Sequence, residues 1–126
     1  MAKNYNENST KDLINAIVFG IHEKKGLDVD VLNFKSIPNS VSDYFIICHG
    51  ATKIQVEAIA ESVEMEVKKK TGFNTWQKEG KENAEWILLD YVDVVVHVFL
   101  DTARSFYHLE SLWGDAEIKR IDSSPE

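Results

Sequence analysis

The residues of this 126-residue chain that could do chemistry are an acid pair, a glycine turn, one thiol and four imidazoles. Asp28-x-Asp30 has the spacing to hold Mg²⁺, and Gly50-Ala51 stands where a strand gives way to a helix, so its amides could meet a phosphate. Together they suggest nucleotidyl transfer. Their order argues against it, because that chemistry places the acids after the glycine turn, whereas here they precede it on an alternating segment that explains them as solvent-facing. One glycine is also a poor phosphate cradle. His22, His49, His97 and His108 share no ligand spacing, and adjacent Cys48 and His49 project to opposite faces of a strand, so no metal site is expected. Cys48 lies in an apolar run, where a thiol is inert, and one cysteine forms no internal disulfide. The expectation is a protein that is not an enzyme and uses no cofactor.

The elements that would position these groups follow from periodicity. Ser9 or Thr10 is placed to cap a helix whose Leu13, Ile14, Ile17, Val18 and Ile21 share one face, closed by Lys24-Lys25-Gly26. Leu27, Val29 and Val31 alternate with Asp28 and Asp30, which predicts an edge or half-exposed strand. After the Pro38-Asn39-Ser40 turn, the unbroken run Tyr44 to Cys48 suits a strand covered on both faces. Val56, Ile59, Ala60, Val63 and Val67 predict a second helix, with outer pairs Lys53–Glu57, Glu64–Lys68 and Glu66–Lys70, ended by Gly72. Phe73 to Lys78 reads as a short strand, and Glu85 to Tyr91 with Asp93 to Leu100 as a hairpin. Asp101 is placed to cap a last helix through Phe106, Leu109, Leu112 and Trp113. The order predicts a single α/β (α+β) domain over residues 9–117, a mixed sheet of about five strands flanked by helices, between loose tails at 1–8 and 118–126.

Composition sets the class of partner. Hydrophobic residues make up 44% and charged residues 28%, ordinary for a globular chain, and no apolar run approaches the ~20 residues of a membrane span. The start carries no signal-like apolar segment, so a cytoplasmic protein with no membrane partner is expected. The net charge of −7 argues against affinity drawn from neutralising phosphates, and no sequence-specific nucleic-acid contact is expected. From Glu79 to Glu117, nine acids against Lys81 and Arg104 hold the whole excess, so a basic partner would be steered there. In the hairpin, Ile87, Leu89 and Tyr91 oppose Trp86, Leu88 and Asp90, and Val94, Val96 and Val98 oppose Asp93, Val95, His97 and Phe99. Both faces are apolar, so either helices cover both or a partner completes one. Trp86 flanked by Asp90 and Asp93 has the composition of an interface anchor.

These residues resemble the ribosomal silencing factors, also called Iojap or YbeB-like proteins. The resemblance rests on Asp43-Tyr44-Phe45-Ile46-Ile47 with Gly50, on Gln55-Val56 with Ala58-Ile59-Ala60, and on Glu79-Gly80. Its densest part is Trp86-Ile-Leu-Leu-Asp90-Tyr91-x-Asp93-Val-Val-Val-His97-Val-Phe99, followed by Arg104, Tyr107, Leu109-Glu110 and Leu112-Trp113-x-Asp115-Ala116. It implies a nucleotidyltransferase-like fold without the catalytic acids, and binding in place of catalysis. Such proteins dock on the large ribosomal subunit through ribosomal protein L-fourteen and block joining of the small subunit when nutrients are short; some relatives assist large-subunit biogenesis. Carried onto this chain, the implied contacts are Trp86, Leu88, Asp90, Tyr91, Asp93 and His97, with Glu79 and Arg104 at the rim and a homodimer as the free form. The alternative readings are a homodimeric scaffold and a residual nucleotide-binding protein. Two departures stand out: Val92 replaces the family's usual hairpin glycine, where a β-branch disfavours positive φ, and Ala51 with Ile54 leaves Thr52 or backbone to cap the second helix.

Overall fold

The computed structural model describes residues 7–40, 42–112 and 114–121. They form α1 (Glu7–Glu23), β1 (Leu27–Asn33), β2 (Tyr44–Gly50), α2 (Lys53–Thr71), β3 (Gln77–Glu79), β4 (Trp86–Asp90), β5 (Val94–Leu100), α3 (Asp101–Tyr107), α4 (Leu109–Leu112) and β6 (Glu117–Ile121). The strands make one sheet in the order β3-β4-β5-β2-β1-β6; β2 and β5 run parallel and the other neighbours antiparallel. The mixed α+β class is as expected, with six strands in place of about five.

Both long helices lie on one face, since Leu13, Ile17 and Ile21 of α1 and Val56, Ile59 and Val63 of α2 turn their apolar stripes onto Ile46, Ile87, Leu89, Val96 and Val98. Complete burial of a side chain such as Ile46 or Ile59 contributes about 1.5–3 kcal/mol. The helices cross closely: a Cβ on Gly20 would stand 2.9 Å from Val63 Cα, and Ser62 Oγ donates to the Gly20 carbonyl at 2.8 Å. Thr52 caps α2 by accepting the Gln55 N–H at 3.1 Å. Ser9 and Thr10 lie within α1, which starts at Glu7, so neither is its cap. Of the three expected pairs along α2, Glu66–Lys70 forms at 3.2 Å; Glu64 turns to Lys78 and Lys81, and Lys53 to Glu85. Those charges tie α2 to the β3–β4 region.

The largest departures lie at the other end of the sheet. Residues 118–121, expected in a loose tail, belong to β6, which pairs Val29 with Ile121 and Asn33 with Glu117; β1 is therefore an interior strand. Asp30 does not face solvent. It is 4% exposed and accepts from Arg104 Nη2 at 3.0 Å and from Arg120 through both Nε and Nη2. Arg104 also donates to the Asp28 carbonyl at 2.7 Å. Asp101 is not a cap, because α3 begins after Leu100 without a side-chain cap bond. The expected last helix breaks at His108 (φ 51°), leaving Phe106 exposed and Leu109 buried; Trp113 lies outside the described residues.

Candidate partner-binding site

Alternation sends Trp86, Leu88 and Asp90 of β4 and Val95, His97 and Phe99 of β5 to the face opposite α1 and α2. There they meet Phe45 and Ile47 of β2, while Phe34, Ala103 of α3, Leu109 and Ala116 cover part of the layer. The rest is a hollow of about 470 Å³ walled by Phe45, Leu88, Val95 and His97 and rimmed by Ser42, Trp76, Glu79, Asp90 and Val92. Trp76 stands on this rim with 71% of its surface exposed, held by its backbone N–H to the Asp90 carbonyl at 2.8 Å.

Two tight turns build the rim. At Gly80 (φ 86°) a Cβ would stand 1.9 Å from the Trp86 carbonyl oxygen, so only glycine lets the chain pass there. Val92 keeps the left-handed turn, with φ at 74°, although its β-branch opposes it. Neighbours over-determine that turn: Asp90 Oδ1 accepts the Val92 N–H at 2.7 Å, and Ser42 Oγ donates to the Val92 carbonyl at 3.1 Å. The Asp43 and Tyr44 amides both donate to the Asp93 carbonyl. Burial, and then the nearby Asp43 carboxylate, raises the pKa of Asp93. Glu79, Asp43, Asp90 and Asp93 form no ion pair among the described residues, which leaves this rim negative.

His97 is 3% exposed and its Nδ1 accepts the Trp86 indole N–H at 3.1 Å, which assigns the imidazole proton to Nε2. Burial pushes its pKa down to about 4, so the floor of the hollow is neutral. Trp86 is half-buried, with ring centroids 4.9 Å from both Phe99 and Tyr107. It packs beside the hollow, where it lines a neighbouring pocket with Glu79, Gly80 and Leu88, and does not protrude as a free anchor.

Of the residues named from sequence, Leu88, Asp90 and His97 come together at the hollow, Glu79 joins its rim, Trp86 packs beside it against His97, and Asp93 sits half-buried in the adjoining turn. Tyr91 is a correction: it lies on the helix-covered face, 3% exposed, where burial raises its phenol pKa. Arg104 is another; at 9% exposed it binds Asp30 at the opposite end of the sheet. Trp76 was missed because β3 is only three residues long and shows no period, although an indole before Glu79-Gly80 was the available signal.

The two features that suggested nucleotide chemistry are engaged internally. The Ala51 amide donates to Gln55 Oε1 at 2.8 Å, and Gln55 Nε2 ties the end of α1 through the Lys24 and Lys25 carbonyls at 3.1 Å. Asp30 is committed to two arginines. Cys48 is fully buried, which pushes its thiol up to about 12. No group of three or more His, Cys, Asp or Glu among the described residues could hold a metal ion, and no helix among them is long and apolar enough to cross a membrane.

A family model described as "Ribosomal silencing factor during starvation" matches residues 7–126. The chain belongs to the ribosomal silencing factor family. It is 43% identical over 114 residues to the ribosomal silencing factor RsfS of Halalkalibacterium halodurans, covering 90% of this chain and 96% of that one. To RsfS of Bacillus subtilis it is 38% identical over 112 residues, covering 89% and 93%. A crystal structure of a protein from Chromobacterium violaceum superposes with a TM-score of 0.72 at 32% identity, covering 95% of each chain. Within this silencing-factor fold, Thr52 and Gln55 fill the helix start where Ala51 stands, and Ile54 is left 80% exposed.

Proposed function

We propose that this protein docks on the large ribosomal subunit through ribosomal protein L-fourteen, sterically blocks joining of the small subunit, and so damps translation when nutrients are short. The observation that carries the reading is the uncovered apolar hollow with its acidic rim and exposed Trp76. A basic protein surface would bury the indole and pair with Glu79, Asp90 and Asp93, drawing affinity from the hollow and association rate from the charge. No bond need be made or broken. A domain of this length has a radius of gyration of about 14 Å, thick enough to keep two flat surfaces apart. Such a protein works in the cytoplasm.

Co-sedimentation with large subunits, small subunits and joined ribosomes, followed by subunit rejoining, tests this. Binding to large subunits alone, with rejoining suppressed and both effects reduced in Trp76→Ala, is the expected result. Absence of binding at moderate salt would remove the reading. Light scattering on the free protein reports whether the same face closes a homodimer, and Trp76→Ala would then return it to a monomer.

A further inference from the structure

A second groove lies at the far end of the sheet, between α1 and the β1–β6 edge, with a volume of about 250 Å³. Ile14, Val31, Tyr44 and Ile121 give it an apolar floor, and Lys11, Lys35 and Lys119 give it a basic rim with no acid in the lining. The three lysines are exposed and make no ion pair among the described residues, whereas Lys53, Lys70, Lys78 and Lys81 are each paired with a glutamate. An unpaired basic groove on a chain of net charge −7 is a local reversal of sign.

We propose that this groove carries a contact with the phosphate backbone of ribosomal RNA. The inference rests on the docking reading above. Hollow and groove both touch β2, through Phe45 and Tyr44, but on opposite faces of the sheet. With the hollow seated on a basic ribosomal protein, the groove is therefore turned away from that patch and left for the RNA around it. Lysine suits such a site, since a mobile ammonium meets a phosphate as a point charge and needs no fixed geometry. The contact is sequence-independent, and two opposed charge patches would orient the protein where one would leave it free to pivot.

The test is Lys11→Gln/Lys35→Gln/Lys119→Gln in the full chain, its fold checked by circular dichroism. Affinity is measured against large subunits over a range of salt, against isolated ribosomal protein L-fourteen by calorimetry, and against a short fluorescein-labelled RNA hairpin by anisotropy. The triple variant should bind large subunits about tenfold or more weakly at low salt, with a log-log salt slope shallower by about 2, and bind the isolated protein unchanged. Wild-type affinity and slope in the variant would overturn the proposal. So would an equal loss against the isolated protein, which would assign the groove to an acidic protein surface. If wild-type protein fails to bind large subunits, the docking reading falls, and the hairpin then decides the groove: binding lost in the variant supports it, and no binding by wild type overturns it.

Discussion

The two ends of the sheet use acidic residues in opposite ways. At the β1–β6 end the buried Asp30 is answered from within the chain by Arg104 and Arg120, and the result is a clasp joining α3 and β6 to β1. At the β3–β5 end Glu79 and Asp90 stand on the rim of an apolar hollow, with Asp93 in the adjoining turn, and none of the three forms an ion pair among the described residues. The chemistry of the carboxylate is the same; what differs is whether the fold returns a countercharge to it. Where it does, the acid holds structure together. Where it does not, the charge remains for a partner.

The largest expected effect breaks the clasp. Asp30→Ala strands two guanidinium groups, one of them buried, and should cost about 3–5 kcal/mol in urea unfolding. A loss under about 1 kcal/mol would mean that the arginines are adequately solvated and that this end is not held by charge. Next is His97, the neutral counterpart of Asp30 at the other end. Its folded pKa, pushed down to about 4 by burial, lies below the unfolded value near 6.5, so the unfolded chain takes up the proton first. Stability should therefore be flat above pH 6.5 and fall by about 3 kcal/mol as pH drops toward 4. Urea titrations of wild type and His97→Phe at several pH values isolate this contribution, and parallel curves would show that His97 is free to ionise in place.

Trp76→Ala should weaken large-subunit binding by about 2 kcal/mol while leaving the melting temperature near wild type, since the indole is exposed and packs little. Trp86→Ala should lower both, because its ring supports His97, Phe99 and Tyr107. Equal behaviour of the two variants would erase the distinction between exposed rim and packed support. The smallest effect is at the turn beside the rim: Val92→Gly relieves a β-branched residue at φ 74° and should stabilise the protein by about 1 kcal/mol in thermal unfolding. No gain would mean that the bonds from Ser42 and Asp90 hold the turn without strain.

Much of the architecture is legible in the sequence. The three- and four-residue spacing from Leu13 and from Val56 announced α1 and α2, and the run from Tyr44 announced the doubly covered β2. The hairpin's two faces separated as alternation predicts, with Ile87, Leu89 and Tyr91 under the helices and Trp86 and Leu88 on the open side. β6 was illegible because its exposed residues carry no apolar period; it exists through its pairing with β1. Part of the site was legible too, since Leu88, Asp90 and His97 of the hollow, and Trp86 beside it, share one face of the hairpin. Trp76 was not, because its place on the rim comes from a backbone bond to Asp90, fourteen residues further on.

By itself, then, the sequence determined the two long helices, the hairpin, its apolar faces and the acidic excess of the second half, because each is set by the spacing of near neighbours along the chain. The membership of Asp30, Arg104 and Arg120 in one buried cluster was decided only by the tertiary structure, since those partners are 74 and 90 residues apart. So was the separation of one weakly acidic chain into an acidic hollow and a basic groove. Net charge is a sum over the sequence, but a partner meets the field at one face, and only the fold decides which charges reach it.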